Sequence, residues 1–347
     1  MTQSPALPAS VPADLAEGLE ELFVRGTPAN TLRAYERDFV YLQAWKDSVY
    51  EASLEWPESE GVALRFILDH ARDLSEADPL DPARIAAEAL MAAGLRRSLR
   101  APAPATLDRR LASWRAFHRM RNLDNPFDAP LVRAARQKAR RAVRHRPGRK
   151  SAHPVTRDVL EDVLSICGAD LRGLRDQALL VLAWASGGRR RSELSNLMRE
   201  DVDLSDYAEK GLIWLTLLET KTTATGEAPR LVLKGRAAKL LAIWIREAGI
   251  GDGPLFRAVS KGDRPLPRRL SPDGVRHVLK TRLVQAGYPP EFASPHGLRA
   301  GFLTQAALDG VPIQAAMRLS LHRSVKQAMA YYDDVEIAEN PATDLLD

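Results

Sequence analysis

The residues of this chain best equipped for chemistry stand in its last fifth. His296-Gly297-Leu298-Arg299 is followed by Leu321-His322 and then by Tyr331-Tyr332, all on segments that read as helical. Well upstream lies an arginine-rich turn, Ser186-Gly187-Gly188-Arg189-Arg190-Arg191-Ser192-Glu193-Leu194. Breaking a phosphodiester with a side-chain oxygen needs an attacking oxygen and donors to the non-bridging oxygens. It also needs a proton acceptor for the nucleophile and a proton donor for the leaving 5′ oxygen. Arginine suits the second task, because its planar fork binds phosphate at two points and stays protonated; Arg190 and Arg299 are the candidates. Histidine can act as acid, base or neutral donor near neutral pH, which His296 and His322 offer. Lys221, beside a hairpin turn, is a cation on a flexible stem able to protonate an alkoxide, although Lys210 and Lys234 flank the same hairpin. Two tyrosines compete for the attack. Consecutive helical residues point about 100° apart, so both cannot face one phosphate. Taken singly, each residue has a plainer explanation: a lone histidine is commonly a satisfied structural group, and Arg189 and Arg191 read as surface or DNA-backbone contacts.

These groups need elements to hold them. Leu32, Tyr35, Phe39, Leu42 and Trp45 recur near a 3.6-residue period and predict a helix over 30–45, capped by Asn30 or Thr31. Further helices fit 59–72, 82–99, 106–119 and 131–143. In the second half the pattern predicts helices over 157–167 and 171–184, then a strand over 211–218 with a hairpin partner over 229–233. Helices resume over 236–248, 272–286, 297–309 and 312–318, and a last one begins near Val325.

Composition sets the outer bounds. A chain of 347 residues exceeds most single cores, so two domains are expected. Hydrophobic residues make up 45% and charged residues 27%, the balance of a soluble globular protein. The one cysteine, Cys167, excludes a disulfide framework and a cysteine-based zinc site. No apolar stretch is long enough to span a bilayer, so the expected location is cytoplasmic and nucleoid-associated. The net charge is +5 and the pI about 9.4, so the placement of charge matters more than its sum. From Arg133 to Lys150 there are nine Lys or Arg and no Asp or Glu. Arg136, Lys138, Arg140, Arg141, Arg144, Arg149 and Lys150, with Arg109 and Arg110 on an earlier helix, are candidate DNA-backbone contacts, since each neutralised phosphate releases counterions. Pro and Gly within 146–154 mark a linker. The expected organisation is a lead-in over 1–12, a helical unit over 13–145, a basic linker over 146–154, a second unit over 155–334 and a tail over 335–347.

The second half resembles the catalytic domain of the tyrosine recombinases, the family of phage integrases and chromosome-dimer resolvases. Gly187 to Leu194 is similar to the family's Thr-Gly-x-Arg-x-Ser-Glu-Leu turn, and aligning Ser-Glu-Leu selects Arg190. His296-Gly297-Leu298-Arg299 matches its His-x-x-Arg, His322 its second histidine, and Tyr331, nine residues further on, its nucleophile. Leu321 departs from the usual glycine before that histidine. The first half, through Thr31–Phe39 and Thr106–Phe117, resembles the family's core-binding helices more weakly.

The resemblance implies a mainly α protein. It would have a helical, SAM-like core-binding domain and an α+β catalytic domain with a small antiparallel sheet. It further implies transesterification through a 3′-phosphotyrosyl link. Arg190, Arg299 and His322 would stabilise the transition state, His296 would assist, Lys221 would protonate the leaving oxygen, and Glu193 would orient the basic groups. Neither metal nor another cofactor is implied. The implied partners are double-stranded DNA, further copies in a tetramer, and a related recombinase or DNA-bending accessory proteins; no membrane partner is implied. The tail, with Ile337, Leu345 and Leu346, is expected to dock on a neighbouring subunit. DNA relaxation of type IB topoisomerase character and a non-catalytic DNA-binding role remain as alternatives.

Overall fold

Apolar residues at helical spacing build the first of two units, Met1–Pro147; the second is Gly148–Asp347. The structure, a computed structural model, describes residues 12–143, 151–217 and 228–338. The described part of the first unit is helical: α1 (Ala13–Gly26), α2 (Ala29–Tyr50), α3 (Glu60–His70), α4 (Pro82–Ala92), α5 (Pro104–Met120) and α6 (Pro130–Ala142). Tyr35, Phe39, Leu42 and Trp45 of the expected stripe do meet in its core. There Trp45 meets Phe66 edge-on at 4.8 Å, and Phe66 meets Trp114 at 5.5 Å, the geometry that ring quadrupoles favour.

Two expectations for this unit need correction, and one helix was missed. Asn30 and Thr31 lie inside the first turn of α2. The residue before the helix is Pro28, whose carbonyl accepts from Thr31 N and Leu32 N. The helix expected to reach residue 99 stops at Ala92, because Gly94 takes φ 71 and the chain turns back: Gly94 N donates to Met91 O and Leu95 N to Leu90 O. Helix α1 was not anticipated; Leu15, Leu19 and Leu22 stay exposed, so burial does not mark them.

In the second unit, α7 (Arg157–Ser165), α8 (Leu171–Ala185) and the short α9 (Arg191–Asn196) precede β1 (Val202–Asp203), α10 (Tyr207–Lys210) and β2 (Ile213–Thr216). There follow β3 (Arg230–Leu233), α11 (Gly235–Glu247), β4 (Arg257–Val259), β5 (Pro265–Arg269) and α12 (Pro272–Gln285). The unit ends with α13 (Pro295–Leu308), α14 (Ile313–Ser320) and α15 (Val325–Ala338). Strands β1, β2 and β3 form an antiparallel sheet in that order, with Ile213 opposite Leu233 and Leu215 opposite Leu231. All four side chains face one core with Leu179, Leu182, Leu241 and Trp244 of α8 and α11, as period-2 alternation requires.

The long helices of this unit begin and end within two residues of the expected positions. The β2 strand starts two residues later than expected, because Gly211 takes φ 66 as the left-handed cap of α10. The β4–β5 hairpin was missed. Pro265 and Pro267 argue against a strand, yet a two-stranded ribbon leaves an open edge where a missing N–H is harmless. Helix α15 runs on to Ala338, and Val335 is buried.

Candidate active site

The site is built where three segments of the second unit converge. The chain leaves α8 through Gly187 (φ 93) and Gly188 (φ 73), conformations that side chains disfavour. It also passes so close to α13 that a Cβ on Gly188 would lie 2.1 Å from Arg299 Cα. Arg190 is the residue before α9. The carboxylate of Glu193, three residues on, accepts from Arg190 N at 3.2 Å and Nη1 at 2.6 Å. Glu193 thus closes the first turn of α9 and fixes the arginine. Arg191 pairs with Asp273 on the surface. Arg189, expected on the surface or at the DNA backbone, is instead buried: the turn points its side chain inward.

Helix α13 opens with Ser294, whose Oγ accepts from His296 N, and with Pro295 in its first turn. His296 and Arg299 are three apart and so share a face. Arg299 is buried, and its Nη1 donates to the carbonyl of Gly188 at 3.2 Å. Burial, with Arg189 and Arg190 nearby, pushes its pKa down to about 10, which leaves it a cation at neutral pH.

Between α14 and α15, Leu321 adopts φ 53, the left-handed conformation that the usual glycine would take without strain. The turn delivers His322 to Arg299. A neutral imidazole carries one ring proton. We assign it to Nδ1, 2.8 Å from Ser320 Oγ, leaving Nε2 to accept from Arg299 Nε at 3.1 Å. Arg299 Nη2, 3.1 Å from Nδ1, then makes a donor–donor approach and no hydrogen bond. Burial first, then the cation of Arg299, lowers the His322 pKa to about 4, so the ring is neutral at pH 7.

The two tyrosines of α15 separate cleanly. Tyr331 Oη lies 3.0 Å from His296 Nε2. Tyr332 is 6% exposed in a cluster with Leu303, Ala306 and Ala316, and its hydroxyl donates to Val311 O at 3.0 Å. Burial raises the Tyr331 pKa while Arg299 opposes the rise, so the phenol stays protonated until a base takes its proton. Beside it opens a cleft of roughly 590 Å³ lined by Arg190, His296, Arg299, Ser192, Ser294 and Arg276 among others. The structure thus brings together Arg190, Glu193, His296, Arg299, His322 and Tyr331. Arg276 and Ser294 were missed in the sequence; a serine two residues before a helical histidine was a visible capping signal.

The other expected positions lie elsewhere. Lys221, Arg144, Arg149, Lys150 and the tail beyond residue 338 fall outside the described residues. Arg109 pairs with the buried carboxylate of Asp38, and Arg110 stacks over the Tyr41 ring at 3.2 Å, so both are committed to partners within the first unit. On α6, Lys138 and Arg141 are exposed, whereas Arg136 and Arg140 both reach Asp108. Burial raises the Cys167 thiol to about 11. Among the described residues no group of three or more His, Cys, Asp or Glu is placed to hold a metal ion, and no helix is long and apolar enough to cross a membrane.

The model of the "Phage integrase family" matches residues 154–336. The integrase/recombinase xerD homolog of Selenomonas ruminantium is 28% identical over 227 residues, spanning 63% of this chain and 64% of that protein, just under two thirds of its length. Tyrosine recombinase XerD of Xanthomonas axonopodis pv. citri is 27% identical over 88% of each chain. Among solved structures, the Tn1549 transposon integrase in complex with a circular intermediate DNA superposes with TM-score 0.54 at 16% identity, over 90% of this chain and 93% of that one. The lambda integrase dimer bound to a COC′ core site gives TM-score 0.52 at 15% identity, over 92% and 76%. These two likenesses speak to the fold. With the family's model matched over more than half of its length, the chain belongs to the phage integrase family, the tyrosine recombinases, enzymes that break and rejoin DNA.

Proposed function

We propose that this tyrosine recombinase cuts one strand of a specific duplex site with the phenol of Tyr331. The observation that carries the assignment is the 3.0 Å contact of Tyr331 Oη with His296 Nε2, beside a cleft that holds Arg190 and Arg299. In the cleavage step His296 accepts the phenolic proton as Oη attacks the scissile phosphorus. Arg190 and Arg299 bind the non-bridging oxygens, and His322, accepting from Arg299 Nε, holds that guanidinium toward the charge that builds there. The bond to the 5′ oxygen breaks, leaving a 3′-phosphotyrosyl link and a 5′-hydroxyl whose proton comes from Lys221. Attack by the 5′-hydroxyl of a partner strand reverses these steps and rejoins the DNA, because the phosphotyrosine conserves the bond.

Strand exchange between two duplexes calls for a tetramer of this chain, alone or with a related recombinase or DNA-bending proteins. Integration, excision and resolution are the tasks such exchange serves. The exposed Lys138 and Arg141 of α6 support contacts to the phosphate backbone. The test is a nicked duplex whose sequence the Tyr331→Phe protein selects from a random pool. Wild type should form a covalent adduct on it, as should Tyr332→Phe, whereas Tyr331→Phe should form none. An adduct with Tyr331→Phe would overturn the assignment. Relaxation of supercoiled DNA without strand exchange would favour topoisomerase-like action.

A further inference from the structure

Arg189 stands immediately before Arg190, at a position that the family motif leaves open. It is 2% exposed, and a buried guanidinium needs partners to offset its lost hydration. Those partners lie on two different arms of the site. Nη2 donates to Leu319 O at 2.7 Å, across 130 residues of sequence, and Nη1 lies 3.7 Å from Glu193 Oε2. Nε is buried with no hydrogen-bond partner. Leu319 belongs to the last turn of α14, where carbonyls lack partners within the helix. The next residue, Ser320, contacts His322 Nδ1, and Leu321 makes the left-handed turn. On the other arm Glu193 grips the backbone and guanidinium of Arg190. Arg189 itself is anchored at the end of α8, its N–H donating to Ala183 O at 2.9 Å.

We propose that Arg189 is a positioning residue that couples the Arg190–Glu193 pair to the turn carrying His322, so that Arg190 and, through His322, Arg299 hold one register. The proposal rests on the cleavage reading above for the roles of Arg190 and His322. Packing alone does not explain a charge here. A leucine or methionine would fill the slot without the desolvation penalty, and Glu193 would keep Arg190 as its partner. What they cannot do is donate to the Leu319 carbonyl while pairing in charge with Glu193.

Two variants separate coupling from space-filling: Arg189→Leu, which fills the slot, and Arg189→Lys, which keeps the charge but not the fork. Adduct formation is measured at saturating concentration of the selected nicked duplex, alongside Kd and melting. In DNA-free protein carrying ¹³C-labelled histidine, the His322 ring is titrated; its resonance is assigned by its loss in His322→Gln. His322 is surrounded by Arg299, Arg190, Arg189 and His296, so its midpoint reports on their charges as well as their arrangement, and Arg189→Lys, which keeps the charge, isolates the arrangement. Arg189→Leu should melt no lower than wild type and bind DNA with unchanged Kd. It should form adduct about 10²-fold more slowly, as expected for a reacting group displaced by about 1 Å, and its His322 midpoint should rise toward the free value. Arg189→Lys should recover part of both. A wild-type rate and midpoint in Arg189→Leu would overturn the proposal, as would a rate loss that only follows the folded fraction. If Arg189→Leu does not fold, Arg189→Lys decides: losses in rate and midpoint support the coupling, and wild-type values in both refute it. Failure of wild type to form any adduct would count against the cleavage reading instead, and the His322 titration would still decide the coupling.

Discussion

Glu193→Gln should unbalance the site, because it removes a carboxylate that faces two guanidiniums. The Glu193 side chain is 6% exposed and that of Arg189 2%, so water screens their attraction little. Two unit charges about 4 Å apart attract by about 4 kcal/mol at an effective dielectric constant near 20. Arg190 is closer, at 2.6 Å, but 34% exposed; solvent screening and side-chain entropy reduce its share to about 1 kcal/mol. Glutamine keeps an oxygen for Arg190 N but leaves Arg189 charged and without its counter-ion. Breaking a buried pair in this way costs about 3–5 kcal/mol. At roughly 2–4 °C per kcal/mol for a unit of this size, the melting transition should fall by about 10 °C.

The converse substitution should behave differently. Burial pushes the Arg189 pKa down to about 10 even with Glu193 present, so its site disfavours the charge by roughly 3 kcal/mol. Arg189→Leu alone should therefore be neutral or stabilising. The double variant Arg189→Leu/Glu193→Gln should recover most of the stability that Glu193→Gln loses. Calorimetry on the four proteins of this cycle measures the coupling directly. Effects that add within about 0.5 kcal/mol would refute the reasoning, since groups in contact are not expected to be independent.

Two further outcomes follow from the first unit. His70 is fully buried, its Nδ1–H donates to Phe66 O and its Nε2 accepts from Tyr41, an arrangement that only the neutral ring allows; burial lowers its pKa to about 3. The folded value lies below the unfolded one of about 6.5, so this stability is fully present above that pH and is lost as pH falls toward 3. Thermal unfolding against pH should show the loss, and His70→Gln should flatten it. On α6, Lys138→Ala and Arg141→Ala should each lower the slope of log K against log salt by about 0.9 for duplex binding. A slope unchanged in both would remove α6 from the DNA interface.

Much of the site was legible because its signals are local. His296 and Arg299 share a helix face by spacing alone, and Glu193 follows Arg190 at the distance a capping carboxylate requires. The three consecutive arginines show where such reading stops. Their side chains are 2%, 34% and 46% exposed for Arg189, Arg190 and Arg191. Residue type does not distinguish them; the twin-glycine turn and the approach of α13 do. The pairing of Arg299 with His322 is likewise set by packing of α13, α14 and α15 through Leu303, Ala316 and Tyr332, contacts that no short window of sequence contains. That cluster also resolves the tyrosine pair, since it occupies Tyr332 and leaves Tyr331 to His296. Among the helices, α4 was overextended because apolar residues continue past Gly94, whose left-handed backbone ends the helix.

The central claim is that Tyr331 is the attacking group. The adduct formed by wild-type protein on the nicked duplex can be digested with nuclease and protease, and the nucleotide-bearing peptide sequenced by mass spectrometry. The phosphoryl group is expected on Tyr331, with Tyr332 unmodified. A phosphoryl group on Tyr332, or on any residue other than tyrosine, would contradict it.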